Sequence, residues 1–392
     1  MEQYDFIVIG AGPGGYPLAI RMAKQGRKVA LIEKKNVGGT CLNWGCIPTK
    51  ALLASAKMYS HLKHASDFGL NVSGCSFDWG RIQSRKEAVV AKLRQGIHKL
   101  LDHGKVTLFS GMAHLQSGNV VKIEPDSKEI SAPQICLATG SIPWAPEGFP
   151  RDRSDFWNSD DALVAPNIPQ SLLVVGGGVI GLELGQVYHE FGSKVTIVEM
   201  MDQILPGLDT ATAKRLLPVF KKLGMEILTG QKVENLRKEG GQIQAIIAGQ
   251  TRTFDKALLA VGRRPNLSVI EQSGLTFDRQ GPFLKVSDRY ETSQPGIFAI
   301  GDCIPGPMLA HKASYDAWIL AEQFAGIIRK PNYDVVPSCV YTYPEIAWVG
   351  LSEESAKQSN LEFKVGRTQF AANGKALAMG EAEGQIKTLI GK

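Results

Sequence analysis

Two glycine-rich turns, each set between an apolar strand and a helix, constrain this chain more than any other feature. The first follows the run Tyr4-Asp5-Phe6-Ile7-Val8-Ile9 and reads Gly10-Ala11-Gly12-Pro13-Gly14-Gly15, a G-x-G-x-x-G pattern at 10, 12 and 15. A short apolar run of this kind reads as a buried parallel strand. A helix is expected to run to about Gln25, and a strand over 28–32 to end at Glu33. Such a βαβ start has a clear use. Its glycines let the backbone approach a pyrophosphate at the helix N-terminus, and the acid takes the ribose hydroxyls. The unit recurs: Ser171–Val175 reads as strand, Gly176, Gly178 and Gly181 repeat the pattern, a helix runs to about Phe191, and the strand 194–198 ends at Glu199. One pattern alone could be an ordinary Gly-rich turn, whereas two in the right context are far more specific. A flavin at one site and a nicotinamide at the other would form machinery for moving hydride.

The second constraint is the stretch Gly38-Gly39-Thr40-Cys41-Leu42-Asn43-Trp44-Gly45-Cys46-Ile47-Pro48-Thr49-Lys50. A regular helix would set Cys41 and Cys46 about 140° apart around its axis and about 7.5 Å apart along it. A disulfide needs Cα atoms about 4.4–6.8 Å apart. If the two cysteines pair, the chain between them cannot be regular helix, and Gly45 and Pro48 are the residues expected to bend it. A short, strained disulfide is the reducible kind. A helix start and Lys50, on the same helical face as Cys46, would favour a thiolate. Two buried free thiols are the blander alternative. A zinc half-site is another, although no second Cys/His cluster with ligand spacing follows.

A length of 392 residues exceeds one compact core, so two or three domains are expected. Hydrophobic residues at 44% and charged residues at 21% fit a soluble globular protein. The net charge of +6 is scattered; its densest groups, Arg151/Arg153, Lys221-Lys222 and Arg263-Arg264, make no basic stripe, which argues against nucleic-acid binding. The start enters a strand without a basic leader or apolar signal core, and no run of 18 apolar residues exists. A cytoplasmic protein off the membrane is therefore expected. In that reducing compartment a working disulfide is catalytic more often than structural.

Between the two units a long helix is expected over Trp79–His103, with strands at 106–110 and Val120–Glu124, and 135–140 closing the first lobe. After the second come a helix near 210–223, strands near Glu226, Val233 and Ile243, and a run 257–262 that echoes 135–140. Proline-rich turns at 143–150 and Pro265-Asn266 mark entry to and exit from the inserted lobe. A strand then ends in Gly301-Asp302 and a helix occupies 308–326. Past Pro331, strand-like segments at 339–341, 346–349 and 385–390 and a helix over 352–358 read as the start of an α+β domain that stops at a hairpin turn near 390–392. The fold class expected is α/β: two Rossmann-like dinucleotide-binding domains plus an incomplete α+β interface domain. The boundaries are 1–148, 149–268, 269–333 (a return to the first domain) and 334–392.

Four separated motifs carry a family resemblance: 10–15 with Glu33; 38–50; 176–185 with Glu199; and Gly301-Asp302 followed by Gly306-Pro307-Met308-Leu309-Ala310-His311-Lys312-Ala313. Tyr341-Thr342-Tyr343-Pro344-Glu345-Ile346-Ala347-Trp348-Val349-Gly350 adds a fifth. With these the chain resembles the flavin disulfide reductases of the pyridine-nucleotide class, and within it the dihydrolipoamide dehydrogenase branch. The resemblance implies a Cys41–Cys46 redox disulfide, with Cys41 the interchange thiol and Cys46 the thiolate against the flavin. It places Lys50 near the flavin with Glu183 as counter-charge. It implies FAD held by Gly10, Gly12, Pro13, Gly14, Gly15, Glu33, Lys34, Gly39, Thr40, Lys50, Thr139, Gly140, Gly301, Asp302, Met308, Leu309, Ala310 and His311. NAD would be held by Gly176, Gly178, Val179, Ile180, Gly181, Glu183, Glu199, Val261 and Gly262; no metal is implied. The activity implied is oxidation of protein-bound dihydrolipoamide with reduction of NAD. The partners implied are lipoyl domains of 2-oxo acid dehydrogenase acyltransferases or the glycine cleavage carrier protein, in a homodimer.

Departures from the family pattern are visible. Ser314 and Tyr315, then Asp316, stand where the family carries acids. The family's catalytic His with a Glu five residues on has no counterpart after His311, which suggests a truncated chain. His311 with Asp316 five residues on mimics that pair but lies in the flavin-side helix and is read as structural. Rival readings are a glutathione or mercuric reductase and a non-catalytic flavoprotein scaffold. Glutathione reductases supply arginines after the second fingerprint strand, whereas this chain has Met200-Met201-Asp202-Gln203.

Overall fold

Each fingerprint strand lies at the centre of a five-stranded parallel sheet. The computed structural model describes residues 1–116, 119–271 and 273–391. Phe6–Ile9 is flanked by Ile135–Leu137 and Val29–Glu33, with Ile297–Ala299 and Thr107–Ser110 outside them. Ser171–Val175 is flanked by Lys256–Leu259 and Lys194–Glu199, with Phe156–Trp157 and Glu226–Thr229 outside. Phe6–Ile9 is buried end to end and the second central strand from Leu172 to Val175, as continuous apolar runs in parallel sheets must be.

The helices in chain order are α1 (Gly15–Lys24), α2 (Gly39–Trp44), α3 (Cys46–Lys63), α4 (Trp79–His103), α5 (Ser159–Val164), α6 (Val179–Glu190), α7 (Thr210–Lys222), α8 (Ala310–Phe324), α9 (Glu353–Gln358) and α10 (Gly374–Ala378). Each sheet is followed by an antiparallel meander that returns the chain to it. Met112–Leu115, Val120–Glu124 and Lys128–Ser131 serve the first, and Val233–Glu239, Gln242–Ile247 and Gln250–Phe254 the second. The chain divides into two compact units: Met1–Ala51 with Gln83–Trp144 and Gly262–Tyr333, and Leu52–Ile82 with Ala145–Val261 and Asp334–Lys392. In the first unit, Ser141–Pro143 pairs antiparallel with Arg263–Pro265, the strands by which the chain leaves and re-enters that unit.

The structure adds elements the residues did not announce: strands Met112–Leu115, Lys128–Ser131, Gln250–Phe254 and Phe363–Gln369, and helices α5 and α10. All but Phe363–Gln369 are short, and several are half exposed, so their apolar alternation is weak. The end of the chain differs from the expected hairpin turn. Gln385–Gly391 is strand, paired antiparallel with Phe363–Gln369, and Lys392 lies outside the described residues. Among the described residues no helix is long and apolar enough to cross a membrane.

Candidate active site

The stretch carrying the two cysteines is broken where the pairing argument required. α2 ends at Trp44, Gly45 leaves helical geometry, and α3 begins at Cys46. A Cβ on Gly45 would lie 3.1 Å from the Thr40 carbonyl oxygen, so glycine allows the chain to fold back here. Pro48 does not contribute to the break. It sits in the first turn of α3, where proline is tolerated.

Cys41 and Cys46 are both partly buried, and Cys41 is hydrogen-bonded to Cys46. That hydrogen bond and then burial push the Cys41 thiol well above its ordinary range, and the Lys50 charge opposes them. Among the described residues no three His, Cys, Asp or Glu side chains gather as a metal site.

The turn over 10–15 is a cradle that side chains would fill. Gly10 has φ of +101°, and a Cβ on it would meet the Ala138 carbonyl oxygen at 2.4 Å; on Gly15 it would meet the Gly10 oxygen at 1.7 Å. Gly39 brings the cysteine stretch against this cradle, its Cβ position lying 2.5 Å from the Gly12 Cα. Glu33 accepts the N–H of Ala11 at 2.8 Å and of Lys35 at 2.9 Å, so the acid at the strand tip is tied to the glycine turn. α8 closes the other side: the Ser314 hydroxyl donates to the Pro13 carbonyl at 2.9 Å, and a Cβ on Gly14 would meet the Ala313 oxygen at 3.3 Å. Met308, Leu309, Ala310 and His311 thus lead into a helix whose first turn packs on the cradle, with Leu309 extended as its cap.

Asp302 lies in the tight turn Gly301–Cys303 and accepts the Ser141 hydroxyl at 2.6 Å. Arg263 donates from Nε to the Ser141 hydroxyl and from Nη2 to the Ser141 carbonyl, each at 2.8 Å, and reaches Thr40 at 3.5 Å. Thr139 donates to the Asn266 carbonyl at 2.6 Å. Ser141 and Arg263 were missed by sequence reasoning. Their signal is position: each directly follows the glycine three residues past the end of a fingerprint-sheet strand, Gly140 after Ile135–Leu137 and Gly262 after Lys256–Leu259.

Beneath this turn Lys312 and Asp316 form a fully buried ion pair at 2.9 Å. Asp316 also accepts the Gly301 N–H at 2.9 Å and the hydroxyls of Tyr290 and Tyr333 at 3.0 and 2.8 Å, while Lys312 donates to the Gly301 carbonyl at 3.0 Å. Burial pushes Asp316 above the usual carboxylate range, with Lys312 opposing. The carboxylate of Asp316 is therefore engaged with Lys312, while His311 is exposed on the same helix. The departure at 314–316 is absorbed: Ser314 bonds the cradle and Asp316 holds the turn.

The second unit repeats the cradle. A Cβ on Gly176 would meet the Ala260 oxygen at 2.4 Å, and on Gly181 the Gly176 oxygen at 2.0 Å. Glu199 is buried and accepts the N–H of Gly177 at 2.7 Å and of Met201 at 2.8 Å. Gly178 caps α6, where Val179, Ile180 and Gly181 form the first turn. Glu183, buried on α6, accepts the Tyr341 N–H at 2.8 Å, and Gln186 exchanges hydrogen bonds with both backbone groups of Tyr343. Both cradles suit a dinucleotide: glycine backbone at a helix start, with an acid anchored behind it.

Comparison with known proteins agrees with this geometry. The family described as pyridine nucleotide-disulphide oxidoreductase matches residues 4–317, and its dimerisation domain matches residues 336–392. Similar proteins include dihydrolipoyl dehydrogenases of Thermus scotoductus, 44% identical over 99% of this chain and 85% of that protein, and of Bacillus subtilis, 38% identical over 98% and 85%. Among solved structures, the HOCl-induced flavoprotein disulfide reductase RclA from Escherichia coli matches with a TM-score of 0.87 and 28% identity, covering 99% of this chain and 87% of that one.

Proposed function

We propose, from the premise that the chain belongs to the pyridine nucleotide-disulphide oxidoreductase family, that it is an NAD-dependent dihydrolipoyl dehydrogenase. The observation that carries the reading is the contact between the Cys41 and Cys46 thiols on a turn packed against the first glycine cradle. FAD and NAD are the family's cofactors. FAD fits the cradle over 10–15 with Glu33, Gly39, Thr40, Asp302 and the start of α8; NAD fits Gly176–Gly181 with Glu199. Bound FAD supplies the two-electron relay between the cysteine pair and the nicotinamide.

Cys41, Cys46 and Lys50 carry the disulfide exchange, which begins from a substrate thiol already ionised. A substrate thiolate attacks Cys41 Sγ of the Cys41–Cys46 disulfide, forming a mixed disulfide and releasing Cys46 as thiolate. The second substrate thiol attacks the substrate sulfur of the mixed disulfide, closes the lipoyl ring and releases Cys41. Cys41 leaves as thiolate and takes up the proton that the second substrate thiol loses, an uptake its raised proton affinity favours. Lys50, one helical turn after Cys46, places positive charge where the thiolate forms. The match of 336–392 to the dimerisation domain supports a homodimer. Lipoyl domains of 2-oxo acid dehydrogenase acyltransferases or the glycine cleavage carrier are its partners in this reading, and the cytoplasm its compartment.

The test is anaerobic single turnover with FAD-loaded protein. Dihydrolipoamide and NAD+ should yield NADH, glutathione with NADP+ should yield no NADPH, and Cys41→Ser should abolish the first reaction. Equal turnover of the glutathione pair would replace this reading with a glutathione reductase.

A further inference from the structure

α4 carries its buried residues in a stripe: Lys86, Val90, Ile97 and Leu101 are at most 8% exposed, spaced four, seven and four apart. The position that completes the stripe between Val90 and Ile97 is Arg94, where a core-facing apolar residue would be ordinary. Its guanidinium converges on one atom: Nε and Nη2 donate to Asn43 Oδ1 at 3.1 and 2.8 Å. Asn43 is buried on α2 between the two cysteines. Its amide nitrogen donates to the carbonyls of Val37 and Gly39, both at 2.9 Å, and approaches that of Asn36 at 3.4 Å. One arginine therefore fixes the orientation of an asparagine that ties the start of the cysteine turn to the backbone running in from Glu33.

We infer that Arg94 is a positioning residue for the redox turn. By locking Asn43 it holds α2, and with it Cys41, at the distance from Cys46 that disulfide formation requires. The inference rests on the redox-pair reading and deepens it. A held pair has a higher effective concentration of one thiol at the other, which favours the disulfide over the dithiol. Without the clamp the disulfide should be easier to reduce. The Arg94 charge alone cannot supply this, because the effect depends on two N–H groups meeting one oxygen.

The experiment equilibrates the FAD-loaded protein with mixtures of oxidised and reduced dithiothreitol and counts free thiols after acid quenching. In that exchange two protein S–H bonds and the S–S bond of oxidised dithiothreitol are replaced by one protein S–S bond and two dithiothreitol S–H bonds. Arg94→Met should move the equilibrium at least about tenfold toward the dithiol, equivalent to about 30 mV. Arg94→Lys, keeping charge and one donor, should fall between. Val90→Ala is the packing control: it should lower the melting temperature and leave the redox equilibrium in place. If Arg94→Met does not fold, Arg94→Lys and Arg94→Gln carry the same comparison. An unmoved equilibrium in the folded Arg94 variants overturns the assignment, as does a shift in Val90→Ala as large as theirs. Failure of the unsubstituted protein to form a Cys41–Cys46 bond overturns the functional reading and this assignment together.

Discussion

The carboxylate of Glu199 accepts the backbone N–H of Gly177 at 2.7 Å, so the acid ending one strand is fixed to the glycine turn ending its neighbour. Glu33 does the same to Ala11 at 2.8 Å. An anchored carboxylate cannot swing away from an incoming phosphate. At about 4 Å and an effective dielectric near 20, one charge pair repels by about 4 kcal/mol before screening. A quarter of that favours NADH over NADPH about fivefold. Glu199→Gln keeps an oxygen for Gly177 and removes the charge, so it should narrow the ratio of kcat/KM values. Equal values for the two nucleotides in the unsubstituted protein would contradict the role given to Glu199.

The two cysteines should separate in absorbance. FAD-loaded Cys41→Ser should show a long-wavelength thiolate–flavin band from Cys46, and Cys46→Ser should lack it. A band found only in Cys46→Ser would exchange the two roles.

Asp316→Asn should be among the most damaging isosteric changes in the first unit. It leaves the Lys312 ammonium buried without its carboxylate, at a cost of about 3–5 kcal/mol. Because Asp316 and Lys312 hold the N–H and C=O of Gly301, flavin affinity should fall with stability. Urea unfolding and FAD titration of the variant measure both. A loss below about 1 kcal/mol, the size of an exposed pair, would show that the network is dispensable.

A second charged tie links the start of α7 to the strand Gln385–Gly391. Lys387 reaches both Asp209 and Glu353 at 2.6 Å. Burial pulls Asp209 up, but hydrogen bonds from Lys387 and Thr212 outweigh it and hold the carboxyl below its ordinary 3.8. A depressed carboxylate contributes stability above its unfolded value and loses it as pH falls through the folded one. Burial pulls Lys387 down, and its two acids outweigh that and raise it above 10.5, so its share is lost only as pH rises beyond that value. Lys387→Met should therefore lower the melting temperature at neutral pH, with the difference shrinking below about pH 3. A difference that stays constant between the two conditions would assign the effect to packing.

What could be read in the residues follows the physics of each signal. The glycine turns and the broken helix between the cysteines depend on local backbone chemistry, so 10–15, 176–181 and Gly45 were legible in order and in local geometry. The antiparallel meanders were partly missed because Met112–Leu115 and Gln250–Phe254 are short and half exposed. α5 carried a readable signal that went unused, a capping box in which Asn158 and Asp161 satisfy each other's backbone N–H groups. Lys312, Asp316 and Arg94 were illegible for another reason. Charged residues on helices usually face water, and only tertiary contacts reveal that these do not.

The pairing of Ser141–Pro143 with Arg263–Pro265 also has a consequence for inheritance and engineering. The chain leaves the first unit along one strand and returns along its neighbour, with Trp144 donating to the Gly262 carbonyl at 3.1 Å. The two ends of the intervening segment are thus stapled side by side whatever lies between them. Closing that loop costs entropy that grows only slowly with its length. Turns inside that segment, such as the one joining Val233–Glu239 to Gln242–Ile247, could therefore be lengthened without parting the neck.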